Sequence, residues 1–330
     1  MNKYFIFFLL ALSQISFGQT FKKISFSPSN YYSAFSGAVK PVMSIMPGDT
    51  VYTESIDCNG VDKNGKKVTV GEVSNPLTGP FYVEGALEGD VLAVSILSVS
   101  FNRSYATCLE YFQERSLPAS ITKQFENNFN PVEWTIDMPK GFASPKGKYE
   151  HLKNFKVPVK PFLGCIGVGS DGTPISSEDA GQSGGNLDLN RITAGSTVYL
   201  PIYNKGALLY LGDGHAAQGD GEINWAALET SLQFAFTVHV IKNRKVKLEY
   251  PRIEDETYIM TVGLDATLDN ALKIATKGLL DWLQEDYHLS IEEATQVMGS
   301  SLEYKIAEIV DPKVEVVAMI KKDTLKGINK

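Results

Sequence analysis

The sequence predicts an α+β fold that is mainly β, and three observations carry that expectation. Short runs rich in β-branched and aromatic residues recur from position 40 to 100 and again from 161 to 242. Turn residues punctuate them at nearly every boundary. The last eighty residues change to a helical period and then return to strand-like runs. Strands followed by a segregated helical segment define the α+β class.

The chain of 330 residues opens with MNKYFIFFLLALSQISFGQT. Lys3 supplies a positive start, Tyr4–Leu12 form an apolar run too short to span a bilayer, and Ser16 and Gly18 offer small residues before Gln19. That order is the signature of a cleaved secretory signal peptide. The expectation is a signal peptide over 1–18 and an exported mature chain, periplasmic or secreted, with no membrane span. About 310 residues remain, enough for a large core.

Strands are expected at VYTESID (51–57), KVTVGEV (67–73), GPFYVEG (79–85) and DVLAVSILSVS (90–100), with VDKNGKK as a hairpin tip. Residues 101–160 are less regular and suggest loops or an insertion with one strand around Trp134. From 161 the pattern resumes in FLGCIGVG, STVYLPIY, GALLYLGD and LQFAFTVHVIK. Between the first two, residues 170–195 lack periodicity and read as a long loop, where function concentrates. In 267–287, Leu268, Ala271, Leu272, Ala275, Leu279, Trp282 and Leu283 share one face of an amphipathic helix. Ser290 and Glu293 form a capping box for a second helix ending at Gly299. YKIAEIV and VEVVAMI follow as strands. The expected organisation is an N-terminal β-rich region (19–160), a second β-rich region (161–250) and a C-terminal αβ region (251–330), together one catalytic unit.

A formal charge of −7 and the lack of a basic patch argue against a nucleic-acid partner. The lysines of 139–160 are broken up by proline and glycine and read as a solvated loop. Cys58, Cys108 and Cys165 are odd in number and far apart, so no disulfide framework is implied and buried small side chains are expected. Gly181–Gly185 fits G-x-S-x-G, but no strand-to-helix turn surrounds it, so Ser183 reads as a loop serine.

The densest chemistry lies in GDGHAAQGDGE (212–222), with one of the four histidines, three acids and four glycines. Asp213 and His215 are two apart, as are Asp220 and Glu222, and such pairs share a face in extended backbone. Imidazole with carboxylates suits zinc or a comparable divalent ion; oxygens alone would suit calcium or magnesium. Asp57 is either a ligand or an Asx-turn residue, Asp188 can join from the long loop, and Glu84 is a general acid/base or a turn carboxylate. His239 reads as a strand-face histidine. His151 and His288 carry no signal.

The sequence resembles the acetamidase/formamidase family in several stretches that keep the family's order. These are PGDTVYTESIDCNG, NPLTGPFYVEGALEGDVLAVSI, FLGCIGVG, GGNLDLNRITAGSTVYLPIYNKGALLYLGDGHAAQGDGE and LSIEEATQVMGSSLEYKIAEIVDP. Segment 101–160 stands outside the match. The resemblance implies hydrolysis of short linear amides such as formamide or acetamide. It also implies jelly-roll-like and barrel-like β regions closed by an αβ element, a homodimer and a bound divalent metal. It favours Asp57, Asp188, Asp213, His215 and Glu222 as the site without dividing their roles; the expectation is His215, Asp213, Asp57 and Asp188 at the metal, with Glu222, Glu84 and Asp220 as candidates for proton transfer. Amide hydrolysis needs an activated water, oxyanion stabilisation and a proton for nitrogen, which a metal and a carboxylate together supply. Two other readings stay open, a hydrolase of another small C–N bond such as a cyclic amide, and a non-catalytic metal-containing ligand-binding β protein.

Overall fold

The computed structural model describes residues 21–328 apart from 72, 126–128, 148 and 245. The expected signal peptide therefore lies outside the described residues. No described helix is long and apolar enough to cross a membrane.

Two sheets organise the chain. One has nine strands, running in space from Lys23–Ser25 through Thr50–Glu54, Leu232–Ile241, Val91–Phe101, Thr197–Pro201, Arg252–Glu254, Tyr258–Asp265 and Val314–Lys321 to Glu303–Glu308, and the other has eleven. Its spine is the antiparallel pairing of Leu232–Ile241 with Val91–Phe101. The second sheet centres on Leu209–His215 and Phe162–Val168, which pair antiparallel. Both strands are buried at every position, as apolar runs flanked on both faces must be.

The main core fills the space between the sheets. Leu163, Ile166, Leu209 and Leu211 of the second sheet meet Val94, Ile96, Val198 and Phe236 of the first. Each such side chain contributes about 1.5–3 kcal/mol on burial. A smaller core forms on the other face of the nine-stranded sheet, where Ile259, Val316, Ala318 and Ile320 receive the helix Leu268–Tyr287. Gly263 permits that approach, since a Cβ there would stand 1.9 Å from Ala271 O.

The mainly β class with a C-terminal αβ element is what the structure displays. The barrel-like expectation is corrected: neither sheet closes on itself, and the two stack as a sandwich with a core between them. The nine-stranded sheet draws strands from all three expected regions. The described residues of KVTVGEV form no strand; Lys67 bridges to Val61, Val68 N donates to Gly60 O at 2.9 Å, and Val70 is almost fully exposed. Segment 101–160 holds more structure than expected, with Tyr105–Leu109, Pro131–Asp137, Phe142–Pro145 and Val157–Pro158 extending the second sheet as a meander. The aperiodic stretch 170–195 contains three very short strands, including Gly184–Asn186 against Phe162–Val168. Of the expected helix face, Leu268 and Leu272 remain exposed while the other five residues are buried. The capping box of Ser290 and Glu293 forms, and its helix runs to Ser301.

Candidate active site

Leu209–His215 changes neighbours along one edge. Leu77–Val83 pairs with it up to Gly212, and Glu229–Thr230 takes over at Gly214 and His215. Asp213 stands at that change with φ +55°. The register sets His215 directly opposite Glu229. On the other edge the strand meets Phe162–Val168, and the chain leaving Gly184–Asn186 returns Asp188 beside Gly164 through backbone bonds from Leu187 and Asp188 to Gly164 O.

These contacts surround one buried imidazole with carboxylates. His215 Nε2 lies 3.0 Å from Asp213 Oδ2 and 3.2 Å from Glu229 Oε2, and Nδ1 lies 3.7 Å from Asp188 Oδ1. The Phe162 ring meets the imidazole edge-on at 4.8 Å and seals it from the core. Ligand-type atoms fall into two overlapping sets, Asp188–Asp213–His215 and His215–Glu222–Glu229, each within 4.8 Å.

Hydrogen bonding does not use up this cluster. Asp188 Oδ1, Asp213 Oδ1, His215 Nδ1 and Glu229 Oε2 are buried with no hydrogen-bond partner among the described residues. Gly164 lets two of these carboxyls approach the strand closely, since a Cβ there would stand 2.3 Å from Asp213 Oδ2 and 2.4 Å from Asp188 Oδ1. Carboxyl oxygens and an imidazole nitrogen buried together without partners fit a divalent cation with mixed N and O ligands.

The electrostatics point the same way. Burial pushes the Asp188 carboxyl well above the usual range, and Glu222 adds to it. Burial likewise lifts Glu222 to about 8, with Glu229 and Asp213 adding to the rise and His215 opposing it. Glu229 is raised mainly by burial. Burial disfavours a charged imidazole, yet Asp213 and Glu229 prevail and push His215 well upward. Without a cation the cluster must hold protons to be buried at all.

A second tier of acids stands behind. Asn186 Nδ2 donates to Asp188 Oδ2 at 2.6 Å and to Asp311 Oδ2 at 2.9 Å. Burial raises Glu308 to about 7, and it pushes Asp311 and Glu315 well upward. Both carboxyl oxygens of Glu315 are buried without a partner among the described residues.

Of the residues singled out in the sequence, His215, Asp213, Asp188 and Glu222 come together, and three do not. Asp57 is committed to a buried ion pair with Arg103, 2.8 Å from Nη2, and closes an Asx turn with Asn59 and Val61. Asp220 is exposed and paired with Lys305. Glu84 is exposed in the turn after Leu77–Val83. The extended-backbone argument fails for Asp220 and Glu222 because Gly221 and Glu222 both take positive φ, so the chain turns there. The sequence reading missed Glu229, Asn186, Glu308, Asp311 and Glu315. Glu229 carried one faint signal, a lone acid in the otherwise uncharged run AALETSLQFAF.

Arg103 ties Asp57 to the site indirectly, since Nη2 also donates to Glu229 O and Nε donates to Thr230 Oγ1. Ser183 sits at the tip between Ala180–Gly181 and Gly184–Asn186, with no helix following, so the nucleophile elbow is absent. All three cysteines are free. Burial raises each thiol, Cys108 to about 11, which disfavours a thiolate nucleophile.

A cavity of 670 Å³ opens over the cluster. Asp188, Asp213, His215, Glu222 and Glu229 form its floor, while Cys58, Asn75, Arg115 and Trp225 are among its walls.

The Acetamidase/Formamidase family model matches residues 177–317, which hold most of this floor. A predicted acetamidase/formamidase from Thermoanaerobacter tengcongensis superposes with a TM-score of 0.81 at 28% identity, over 94% of this chain and 99% of that one. An acetamidase from Bacillus halodurans superposes at 0.77 with 30% identity, over 93% and 100%. The formamidase of Methylophilus methylotrophus is 26% identical over 305 residues, covering 77% of this chain and 74% of that protein. Likeness at this identity over the full length of a solved relative places the chain in the acetamidase/formamidase family.

Proposed function

We propose that the protein hydrolyses linear amides to a carboxylate and ammonia, with a divalent cation held by His215, Asp213 and Asp188. The observation that carries this reading is the buried His215 ringed by three carboxylates, with ligand-type atoms of all four residues left without a hydrogen-bond partner among the described residues. Mixed imidazole and carboxylate donors favour zinc over calcium, which takes oxygen ligands. When bound, such an ion supplies Lewis acidity to a water and a carbonyl oxygen.

The chain's own residues supply the rest. Water adds its oxygen to the carbonyl carbon, the C–N bond breaks, and the nitrogen leaves as ammonia after gaining a proton. Glu222 stands at the cavity floor beside the cluster, placed to pass a proton to the departing nitrogen. Glu229 faces the same imidazole and completes the acidic wall. Arg103 positions Glu229 through its backbone carbonyl. Phe162 keeps the imidazole ring fixed from beneath.

Ammonia release from formamide, acetamide and propionamide tests the reaction. The native protein should release ammonia, and His215→Ala should reduce kcat/KM at least about 100-fold. Equal release by both proteins would remove His215 from the centre, and metal analysis of the native protein should find about one divalent ion per chain. The order of charged, apolar and small residues in 1–18 supports export, which N-terminal sequencing of the mature protein checks. A homodimer follows from the resemblance alone; light scattering reads it directly.

A further inference from the structure

The cavity is far larger than a short amide needs. It holds 670 Å³, whereas a four-heavy-atom amide takes about 120 Å³ at water's share of roughly 30 Å³ per heavy atom. Cavities of this size ordinarily seat ligands several times larger than acetamide.

Its outer wall is aromatic. Phe129 and Trp225 line the cavity together with Leu109 and Pro131. Trp225 and Phe129 meet edge-to-face at 5.6 Å, Phe129 stacks on Tyr111 at 4.6 Å, and Tyr111 lies 5.8 Å from Trp225. Even so, Trp225 and Phe129 stay 48% and 47% exposed. Rings that packed only for stability would be covered; these keep open faces at the cavity mouth.

The backbone fixes that wall relative to the chemistry. Trp225 has φ +63° and Glu222 φ +47°, in a turn closed by Trp225 N–H donating to Glu222 O at 2.9 Å. A left-handed conformation is costly for a bulky residue and persists only where its surroundings dictate it. The same turn buries the Glu222 carboxyl in the cluster and sets the Trp225 indole on the wall above. Phe129 and Tyr111 lie outside residues 177–317, which the family model matches, whereas the floor residues lie inside them.

We propose that the substrate is a linear amide whose acyl group carries an aromatic ring or a similarly flat apolar group, seated against Trp225 and Phe129 with its carbonyl toward His215. For the reaction this rests on the amide-hydrolase reading; for binding it stands on the cavity alone.

Phenylacetamide and acetamide are the probes, with the metal-loaded native protein, Trp225→Ala and Trp225→Phe. The native protein should favour phenylacetamide by at least about tenfold in kcat/KM, as expected of an apolar group filling an apolar pocket. That preference should collapse to about twofold or less in Trp225→Ala and return in Trp225→Phe, which keeps a ring in the turn. Circular dichroism and the oligomeric state of each variant separate misfolding or loss of an interface from loss of the seat. Calorimetry on the His215→Ala protein reads binding without turnover, and phenylacetamide should bind at least about tenfold more tightly than acetamide there, dependent on Trp225. Turnover of acetamide equal to or better than phenylacetamide overturns the proposal and leaves the amidase reading intact. Trp225-dependent binding with no turnover of any amide upholds the seat and overturns the amidase reading. A preference unchanged in Trp225→Ala, or a Trp225 effect confined to oligomeric state, also overturns it.

Discussion

A methyl group at Gly164 would occupy the space onto which Asp213 Oδ2 and Asp188 Oδ1 open. Gly164 lies in a fully buried strand, and its φ is outside the left-handed region, so alanine suits the backbone and only the pocket objects. Gly164→Ala should therefore fold, at a cost of about 1–3 kcal/mol from overpacking. It should lose bound metal and at least about 100-fold in activity, measured by metal analysis and ammonia release on protein of native circular dichroism. Retained metal with full activity would show that the ion sits elsewhere. At this scale the sequence revealed Asp213 and His215 because they stand among glycines at the end of an apolar run, and Asp188 because it lies in the long aperiodic stretch. Glu229 stayed hidden because its meeting with His215 is a matter of strand register, and register is a long-range property. Asp57 has the right chemistry but is already matched by Arg103, a partner 46 positions away that no local pattern announces.

Among the elements, the strand Val314–Lys321 carries an unusual load. Val314, Val316, Ala318 and Ile320 turn toward the helix, while Val317 and Met319 turn toward the main core. Glu315 shares the latter face with neither oxygen satisfied among the described residues. Burial raises its carboxyl well above the ordinary value, with Glu308 and Asp311 adding to the rise. A raised folded-state value means that the folded chain holds a proton the unfolded chain releases. The associated stability is fully present below about pH 4.5 and is lost as pH climbs toward the folded value, by up to about 1.4 kcal/mol per pH unit. Glu315→Gln removes that dependence, so its stability relative to the native chain should grow between pH 5 and pH 7. Parallel urea melts of metal-free protein at several pH values measure the gap, and one that stays constant or shrinks would refute the assignment. The strand itself was legible from its apolar run, and the helix beside it from its period. Of the strands between 105 and 158 only the one around Trp134 was, because their side chains are largely half-exposed or exposed and they draw their stability from neighbours in the second sheet.

For the whole molecule, class was readable and architecture was not. Apolar runs and turn residues are local signals, which is why most strands and both long helices could be placed. Which strands pair is decided by contacts such as Val91–Phe101 with Leu232–Ile241, more than a hundred positions apart, and no periodicity encodes them. The expectation of a barrel came from resemblance, and the structure replaces it with two open sheets around a shared core. That core binds the N-terminal and central parts of the chain into one sandwich, so the acids gathered around His215 exist as a group only in the completed fold. An ion that needs all of them has almost no affinity for the unfolded chain, and its binding adds directly to the folding free energy. Free ion at about 100 times its dissociation constant adds about 2.7 kcal/mol, several degrees of melting temperature for a chain of this size. The crowding of carboxylates thereby becomes a thermometer. Melting the metal-free protein against zinc, calcium, magnesium and manganese should rank them by occupancy without any substrate, and indifference to all four would argue that protons alone satisfy the cluster.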